Sequence, residues 1–312
     1  MMFKNYGLLG IEHLEREEIE KILELAFFYK DCIRKNIKKL SALKGKSVVN
    51  LFYEPSTRTK NSFELAAKYL GANVINFTTQ GSSVQKGETL KDTVSTLTAM
   101  GIDAVIIRHN VSGTPMYLKK YINLPVINAG DGMHEHPTQA LLDMMTVMEY
   151  KGTLKDLKIA IIGDIAHSRV AKSNLIGFSK MGAKVFVAGP STLVPEAAKK
   201  FGAIISYNVK EAVKEADVVM GLRLQLERQK KNLFPSTGEY AKYYGINSTV
   251  LNLAKPNVLL LHPGPVNREV ELTSEVMDGE KSCIGEQVTN GVAIRMAVLN
   301  LLIGGNEYEK AV

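Results

Sequence analysis

Along most of the chain, short apolar runs alternate with longer stretches in which apolar residues recur every third or fourth position. The runs Val48–Phe52, Val74–Phe77, Ala104–Arg108 and Pro125–Asn128 predict strands, being short, apolar and bounded by polar or Gly-containing turns. Between them, Thr57–Leu70, Thr89–Met100 and Pro137–Tyr150 carry helical spacing, and a charged amphipathic helix over Glu15–Lys30 precedes the series. The pattern restarts with strands at Lys158–Ile162, Lys184–Ala188, Ile204–Tyr207, Val218–Leu222 and Val258–Leu261. Strand–helix alternation buries both faces of a parallel sheet. The fold class is therefore α/β, with two doubly wound parallel-sheet domains. The expected division is 1–150 and 151–286, joined near Lys151–Lys155. A last helix within 287–312 is expected to pack back on the first domain.

The polar turns carry the chemistry. Ser56-Thr-Arg-Thr59 falls between the strand ending at Phe52 and a helix in which Phe63, Leu65, Ala66, Ala67 and Leu70 keep helical spacing. A helix start presents unsatisfied backbone N–H groups and the positive end of the helix dipole. Three hydroxyls and a guanidinium added there suit the phosphate of a small substrate, although Ser and Thr also cap helices for structural reasons alone. Thr78–Lys86 is a polar, Gly-containing loop at the carboxyl end of a strand, where open parallel sheets place ligand-binding loops. His134-Glu-His-Pro-Thr-Gln139 follows a Gly-rich turn. Its HxH pattern lacks a third ligand at zinc spacing, so no metal is expected. His136 and Gln139 are better placed at a helix start, where imidazole and amide can address one ligand carbonyl.

Composition narrows the class. The chain has 312 residues, 45% hydrophobic and 23% charged, with a formal charge of +7. Its basic residues are interleaved with 32 acidic ones, which disfavours nucleic acid and suits small polyanionic substrates. Cys32 and Cys283 form no CxxC pattern, and no apolar run is long enough to span a bilayer. The expectation is a soluble, cytoplasmic protein with neither nucleic-acid nor membrane partners. Gly163-Asp-Ile-Ala-His-Ser168 lacks the GxGxxG turn of a dinucleotide site.

Together, Ser56-Thr-Arg-Thr59, Ser62-Phe-Glu64, His136-Pro-Thr-Gln139 and Leu141-Leu-Asp143 resemble the aspartate/ornithine carbamoyltransferase family. Arg223-Leu-Gln-Leu-Glu-Arg228 and His262-Pro-Gly-Pro265 resemble its aspartate-using side. The Ser-Met-Gly and His-Cys-Leu-Pro segments typical of the ornithine side do not occur. The resemblance implies transfer of a carbamoyl group from carbamoyl phosphate to L-aspartate, early in de novo pyrimidine biosynthesis, with no cofactor. A carbamoyltransferase for another amino acid, such as ornithine, is the alternative.

It also implies residue roles. Ser56, Thr57, Arg58 and Thr59 would hold the phosphate, and Arg108 would bridge phosphate and carbonyl. His136, with Thr59 and Arg108, would donate to the carbonyl oxygen. Gln139 and the main-chain carbonyls at Pro263 and Gly264 would accept from the carbamoyl amide. Arg169 would bind the α-carboxylate of aspartate, and Arg223, aided by Gln225, the side-chain carboxylate. Matching Lys86-Gly-Glu-Thr89 to the family assigns Ser82 and Lys86 to a neighbouring subunit's site, with Ser83 the adjacent register. A homotrimer with shared sites follows; a regulatory chain is not readable. Val170 and Gly264 depart from relatives that carry a hydroxyl residue and a bulkier residue there.

Overall fold

The computed structural model describes residues 7–78, 87–225 and 234–304. Its contacts divide the chain into two units: one up to Leu142 and again from Val288, the other Asp143–Gln287. Both divisions fall inside helices, Pro137–Lys151 and Ile284–Ile303, and neither falls in the loop after Lys151.

Among the described residues, the first unit holds a five-stranded sheet. Its strands are β1 (Gly7–Leu8), β2 (Ser47–Phe52), β3 (Asn73–Thr78), β4 (Ala104–His109) and β5 (Val126–Asp131), in the order β1-β5-β4-β2-β3. Every pairing is parallel. β2 is buried at all but its first residue, as expected of a strand covered on both faces. Helices α1 (Arg16–Arg34), α2 (Thr57–Tyr69), α3 (Leu90–Ala99), α4 (Thr114–Lys119) and α5 (Pro137–Lys151) connect or cover the strands. Val49, Leu51, Val94, Leu97, Val105, Ile107 and Leu118 form one apolar cluster between sheet and helices. Each such side chain contributes roughly 1.5–3 kcal/mol on burial.

The second unit repeats the plan. β6 (Lys158–Ile162), β7 (Lys184–Ala188), β8 (Ile204–Ser206), β9 (Val218–Gly221) and β10 (Leu259–Leu261) run in the order β10-β9-β6-β7-β8, again all parallel. Helices α6 (Arg169–Lys180), α7 (Val209–Val213), α8 (Thr237–Tyr244), α9 (Ser248–Leu251) and α10 (Ser274–Met277) follow in order, and α11 (Ile284–Ile303) is last. From Val288 on, α11 groups with the first unit, where Arg295 Nη1 donates to Ser62 Oγ at 2.9 Å.

In each sheet one strand has successors on opposite sides. β2 pairs with β3 on one side and β4 on the other; β6 does the same with β7 and β9. Crossovers that leave in opposite directions open a crevice outside the carboxyl ends of the two central strands.

Several elements differ from the periodicity. β1 has only two residues, too few to carry a pattern, yet it pairs with Val126 and Ile127. β5 runs on to Asp131 through the segment expected as a Gly-rich turn. α1 continues to Arg34, a turn beyond Lys30, because Ile33 and Cys32 extend its apolar face. α4 is short and Pro-containing, and its helical repeat is too brief to stand out.

Candidate active site

In the first unit the polar side chains gather at the β2/β4 crevice. β2 and β4 are in register at Phe52 and Arg108, and Tyr53 N–H donates to the Arg108 carbonyl at 2.9 Å. The chain then turns through Glu54 and Pro55 into α2. Ser56 occupies the N-cap position in extended conformation, but its side chain makes no capping hydrogen bond to its own helix. Thr57 and Arg58 are exposed, whereas Thr59 is buried with Phe63, Ala66 and Ala67 along the inner face of α2. The first-turn amides therefore sit beneath a hydroxyl that does not cap them.

Arg108 stands beside this turn. Its Nη1 donates to the Ala129 carbonyl at 3.2 Å, and its Nε lies 3.3 Å from Glu54 Oε2. The guanidinium is thus anchored by β5 on one side and by the turn after β2 on the other. On the next strand, β5 leads into α5, where Pro137 at the first helical position suits a fixed φ and a missing N–H. The His136 carbonyl accepts the Gln139 and Ala140 N–H groups at 3.0 and 3.3 Å, so the buried His136 is the residue that opens the helix. Ser56 to Thr59, Arg108, His136 and Gln139 thus lie at the ends of three adjacent strands, β2, β4 and β5.

A second layer fixes the loop before His136. Buried Asp131 accepts from Gly113 N–H at 2.6 Å, Asn128 Nδ2 at 2.8 Å and Glu135 N–H at 3.1 Å, and it faces His134 Nδ1 at 3.1 Å. Desolvation would raise its carboxyl, but the contacts with His134, Asn128 and Gly113 outweigh that and hold it below the usual range. Ligand atoms of Glu12, His134 and Glu135 lie within 4.8 Å of one another. The Glu135 carboxylate accepts the Ile11 and Glu12 N–H groups at 2.8 and 3.3 Å, so its role there is to clasp the 3-10 turn Ile11–His13. His136 is outside this cluster.

The second unit has its own set at the ends of β6, β9 and β10. After β6, Gly163 adopts φ +133° and packs against Leu222, whose N–H donates to the Ile162 carbonyl at 2.8 Å. Fully buried Asp164 accepts from His167 at both its N–H, 3.1 Å, and Nδ1, 2.8 Å. Ser168 caps α6 by accepting the Ala171 N–H at 3.1 Å, which sets Arg169 in the first turn, buried. Arg223 follows β9 and is half-buried; Gln225 Nε2 turns back to the Arg223 carbonyl at 3.4 Å.

After β10, His262 Nδ1 accepts the Gly264 N–H at 2.8 Å, and the Gly264–Pro265 bond is cis. Gly264 has φ +59°, a left-handed conformation that glycine adopts without strain. A buried chain supports the turn: His262 N–H donates to Gln287 Oε1 at 3.0 Å, and Gln287 Nε2 to Asp143 Oδ1 at 2.7 Å. Asn174 Nδ2 holds the other oxygen of Asp143 at 2.7 Å.

Arg169, Arg223, Gln225, Pro263 and Gly264 are thus brought to one end of one sheet. Ser82, Ser83 and Lys86 lie outside the described residues. Sequence reasoning missed Glu54, Asp131, Glu271 and Gln287, and quoted Asp143 without a role. The available signal was an acidic residue among apolar ones, as in Leu141-Leu-Asp-Met144 and Val270-Glu-Leu272.

Comparison with known proteins gives the family. Residues 7–149 match the aspartate/ornithine carbamoyltransferase carbamoyl-P binding domain, and residues 155–302 the Asp/Orn binding domain of the same family. The chain is 58% identical over 302 residues to an aspartate carbamoyltransferase catalytic subunit of Ruminiclostridium cellulolyticum, covering 97% of this chain and 96% of the relative. It is 56% identical over 305 residues to that of Moorella thermoacetica, covering 98% and 99%. An aspartate transcarbamoylase of Trypanosoma cruzi, solved with N-(phosphonacetyl)-L-aspartic acid, superposes with TM-score 0.89 at 31% identity, covering 97% of each chain. An ornithine carbamoyltransferase of Pyrococcus furiosus superposes almost equally, at 0.87 and 32%, covering 97% and 99%. The fold is common to both substrates, so the acceptor has to be argued from side chains. The chain belongs to the aspartate/ornithine carbamoyltransferase family.

Proposed function

We infer that the chain transfers the carbamoyl group of carbamoyl phosphate to L-aspartate, giving N-carbamoyl-L-aspartate and phosphate in de novo pyrimidine biosynthesis. The observation that carries this reading is the pair Arg169 and Arg223 at the ends of adjacent strands β6 and β9. An acceptor with two carboxylates needs two cations, and guanidinium forks suit planar anions. An acceptor bearing a side-chain ammonium would be repelled by Arg223. Near-full-length similarity to aspartate carbamoyltransferase catalytic subunits supports the same choice.

The phosphate of carbamoyl phosphate is held by Ser56, Thr57, Arg58 and Thr59, with Arg108 between phosphate and carbonyl. The amine nitrogen of aspartate attacks the carbamoyl carbon, and the carbonyl oxygen gains negative charge. His136, Thr59 and Arg108 donate to that oxygen, a preorganised arrangement that lowers the barrier as the charge appears. Gln139 and the carbonyls of Pro263 and Gly264 accept from the carbamoyl amide. The new C–N bond forms, the C–O bond to phosphate breaks, and the departing phosphate takes the proton of the attacking nitrogen. Neither a metal nor a cofactor enters these steps.

Ser82 and Lys86 complete the site from a neighbouring subunit of a homotrimer in this reading. A cytoplasmic location fits the two free, buried cysteines. No helix of the described residues is long and apolar enough to cross a membrane.

The test is product formation from carbamoyl phosphate with aspartate and ornithine offered in parallel. Turnover with aspartate only is expected. Arg223→Ala should lower kcat/KM for aspartate about 100-fold while carbamoyl phosphate affinity stays within about twofold. Turnover with ornithine only would overturn the acceptor and the role of Arg223 while leaving the phosphate grip.

A further inference from the structure

Glu271 is a carboxylate with 2% exposure in a family site that already has its substrate cations assigned elsewhere. Its oxygens accept from two segments. Oε1 takes the Leu224 N–H at 2.9 Å and Asn267 Nδ2 at 2.7 Å; Oε2 takes the Asn267 N–H at 2.7 Å. Leu224 immediately follows Arg223, and Asn267 lies three residues beyond Gly264. One buried carboxylate therefore ties the loop leaving β9 to the loop leaving β10. The donors are neutral amides, and burial pushes the carboxyl above the usual carboxylate range despite them.

The surroundings make the tie stiff. Tyr240 is buried in one apolar cluster with Leu193 and Leu224, and a Cβ built at Gly163 would meet its Oη at 3.1 Å. The Glu271 carbonyl accepts the Ile246 N–H at 2.9 Å, anchoring its own backbone. A fork that accepts from Leu224 and Asn267 at once fixes the backbone on which Arg223 stands relative to the Pro263–Gly264 carbonyls.

We propose that Glu271 is a positioning residue of the acceptor half-site, setting the place of Arg223 against the His262–Pro265 turn. This rests on the aspartate reading above. Glu271→Gln keeps the shape but turns one acceptor into a donor that faces amide N–H groups. It should raise the aspartate KM and lower kcat, each by about tenfold, the size expected when a buried donor loses its acceptor. Affinity for inorganic phosphate, gripped in the other unit, should stay within about twofold.

The discriminating measurement is kcat/KM for aspartate in the wild-type and Arg223→Ala backgrounds. If Glu271 acts through Arg223, Glu271→Gln costs less than about twofold once Arg223 is gone, because interacting residues are non-additive. An equal penalty in both backgrounds, or an aspartate KM within about twofold of wild type, would overturn the proposal. A parallel loss of phosphate affinity would also overturn it, since that marks general damage. Should Glu271→Gln fail to fold, exposed Asn267→Ala decides: a rise of about threefold in aspartate KM is expected, and no change overturns. Absence of aspartate turnover in the wild-type protein would remove the underlying reading, and this one with it. Normal wild-type turnover with an unaffected variant removes only the role of Glu271.

Discussion

The two units place their chemistry at the same topological spot and build it differently. In each, the central strand and the neighbour across the switch, β2 with β4 and β6 with β9, end at the polar residues. In each, the first of those strands feeds a helix that begins with a serine, Ser56 or Ser168. Ser168 accepts its own Ala171 N–H at 3.1 Å; Ser56 makes no such bond. A capped helix start has spent one of its best donors on itself, while an uncapped one has them to offer. The first helix start therefore keeps main-chain amides free for the phosphate proposed there, and the second presents Arg169, proposed for a carboxylate.

The most forceful way to break this contrast is to remove the cation of the first unit. Arg108 is braced by the Ala129 carbonyl at 3.2 Å and by Glu54 at 3.3 Å, and in the proposed reaction it faces the carbamoyl oxygen. Arg108→Ala should lower kcat about 1,000-fold, comparable with loss of one strong oxyanion donor. Steady-state kinetics at saturating aspartate would check it. A change confined to KM would mean that Arg108 holds the ground state alone.

Next in size is a difference in pH response between the units. Asp131 is held below the ordinary carboxylate range and Glu271 above it. The stability that Asp131 contributes is present above its unfolded value, about 3.9, and is lost as pH falls through its lower folded value. Glu271 has the opposite sign: its contribution is present below its unfolded value and is lost as pH rises through the raised folded one. Asp131→Asn should cost about 2 kcal/mol at neutral pH, through the strained accommodation of Gly113 N–H and Glu135 N–H. That deficit should shrink only as pH falls below about 3.9 toward the lower folded value of Asp131. Urea unfolding of both proteins at several pH values measures it, and a deficit independent of pH would contradict the assignment.

How much of this was legible in the sequence follows from where each residue's partners lie. Ser56 and His136 are legible as polar residues beside apolar runs, whereas Arg108, Arg169 and Arg223 are singled out only by the family resemblance. Their helices and strands carry clear periodicity, as in Ser47–Phe52 and Thr57–Tyr69. The supporting carboxylates could not be assigned partners. Asp143 meets Gln287 across 144 positions, and Glu271 meets Leu224 across 47, distances over which periodicity says nothing. β1 was invisible for a related reason. Gly7 and Leu8 are a strand only because β5 is beside them, and a Cβ at Gly7 would collide with the Val126 carbonyl oxygen.

The smallest effect tests the capping contrast directly, with one methyl-for-hydroxyl exchange in each unit. Ser168→Ala removes a cap that the helix uses, so it should cost about 1 kcal/mol of stability. Ser56→Ala removes a hydroxyl that its helix does not use, and stability should stay within about 0.5 kcal/mol. Affinity for inorganic phosphate should reverse the order: weaker by about tenfold in Ser56→Ala, where a hydrogen bond to a charged group is lost, and unchanged in Ser168→Ala. Urea midpoints and phosphate titration on the same two proteins give both halves. If Ser56→Ala were instead the destabilised variant with normal phosphate affinity, Ser56 would be a structural cap after all. The phosphate would then have to be held by Arg58, Thr59 and Arg108 without it, and the distinction between the two helix starts would disappear.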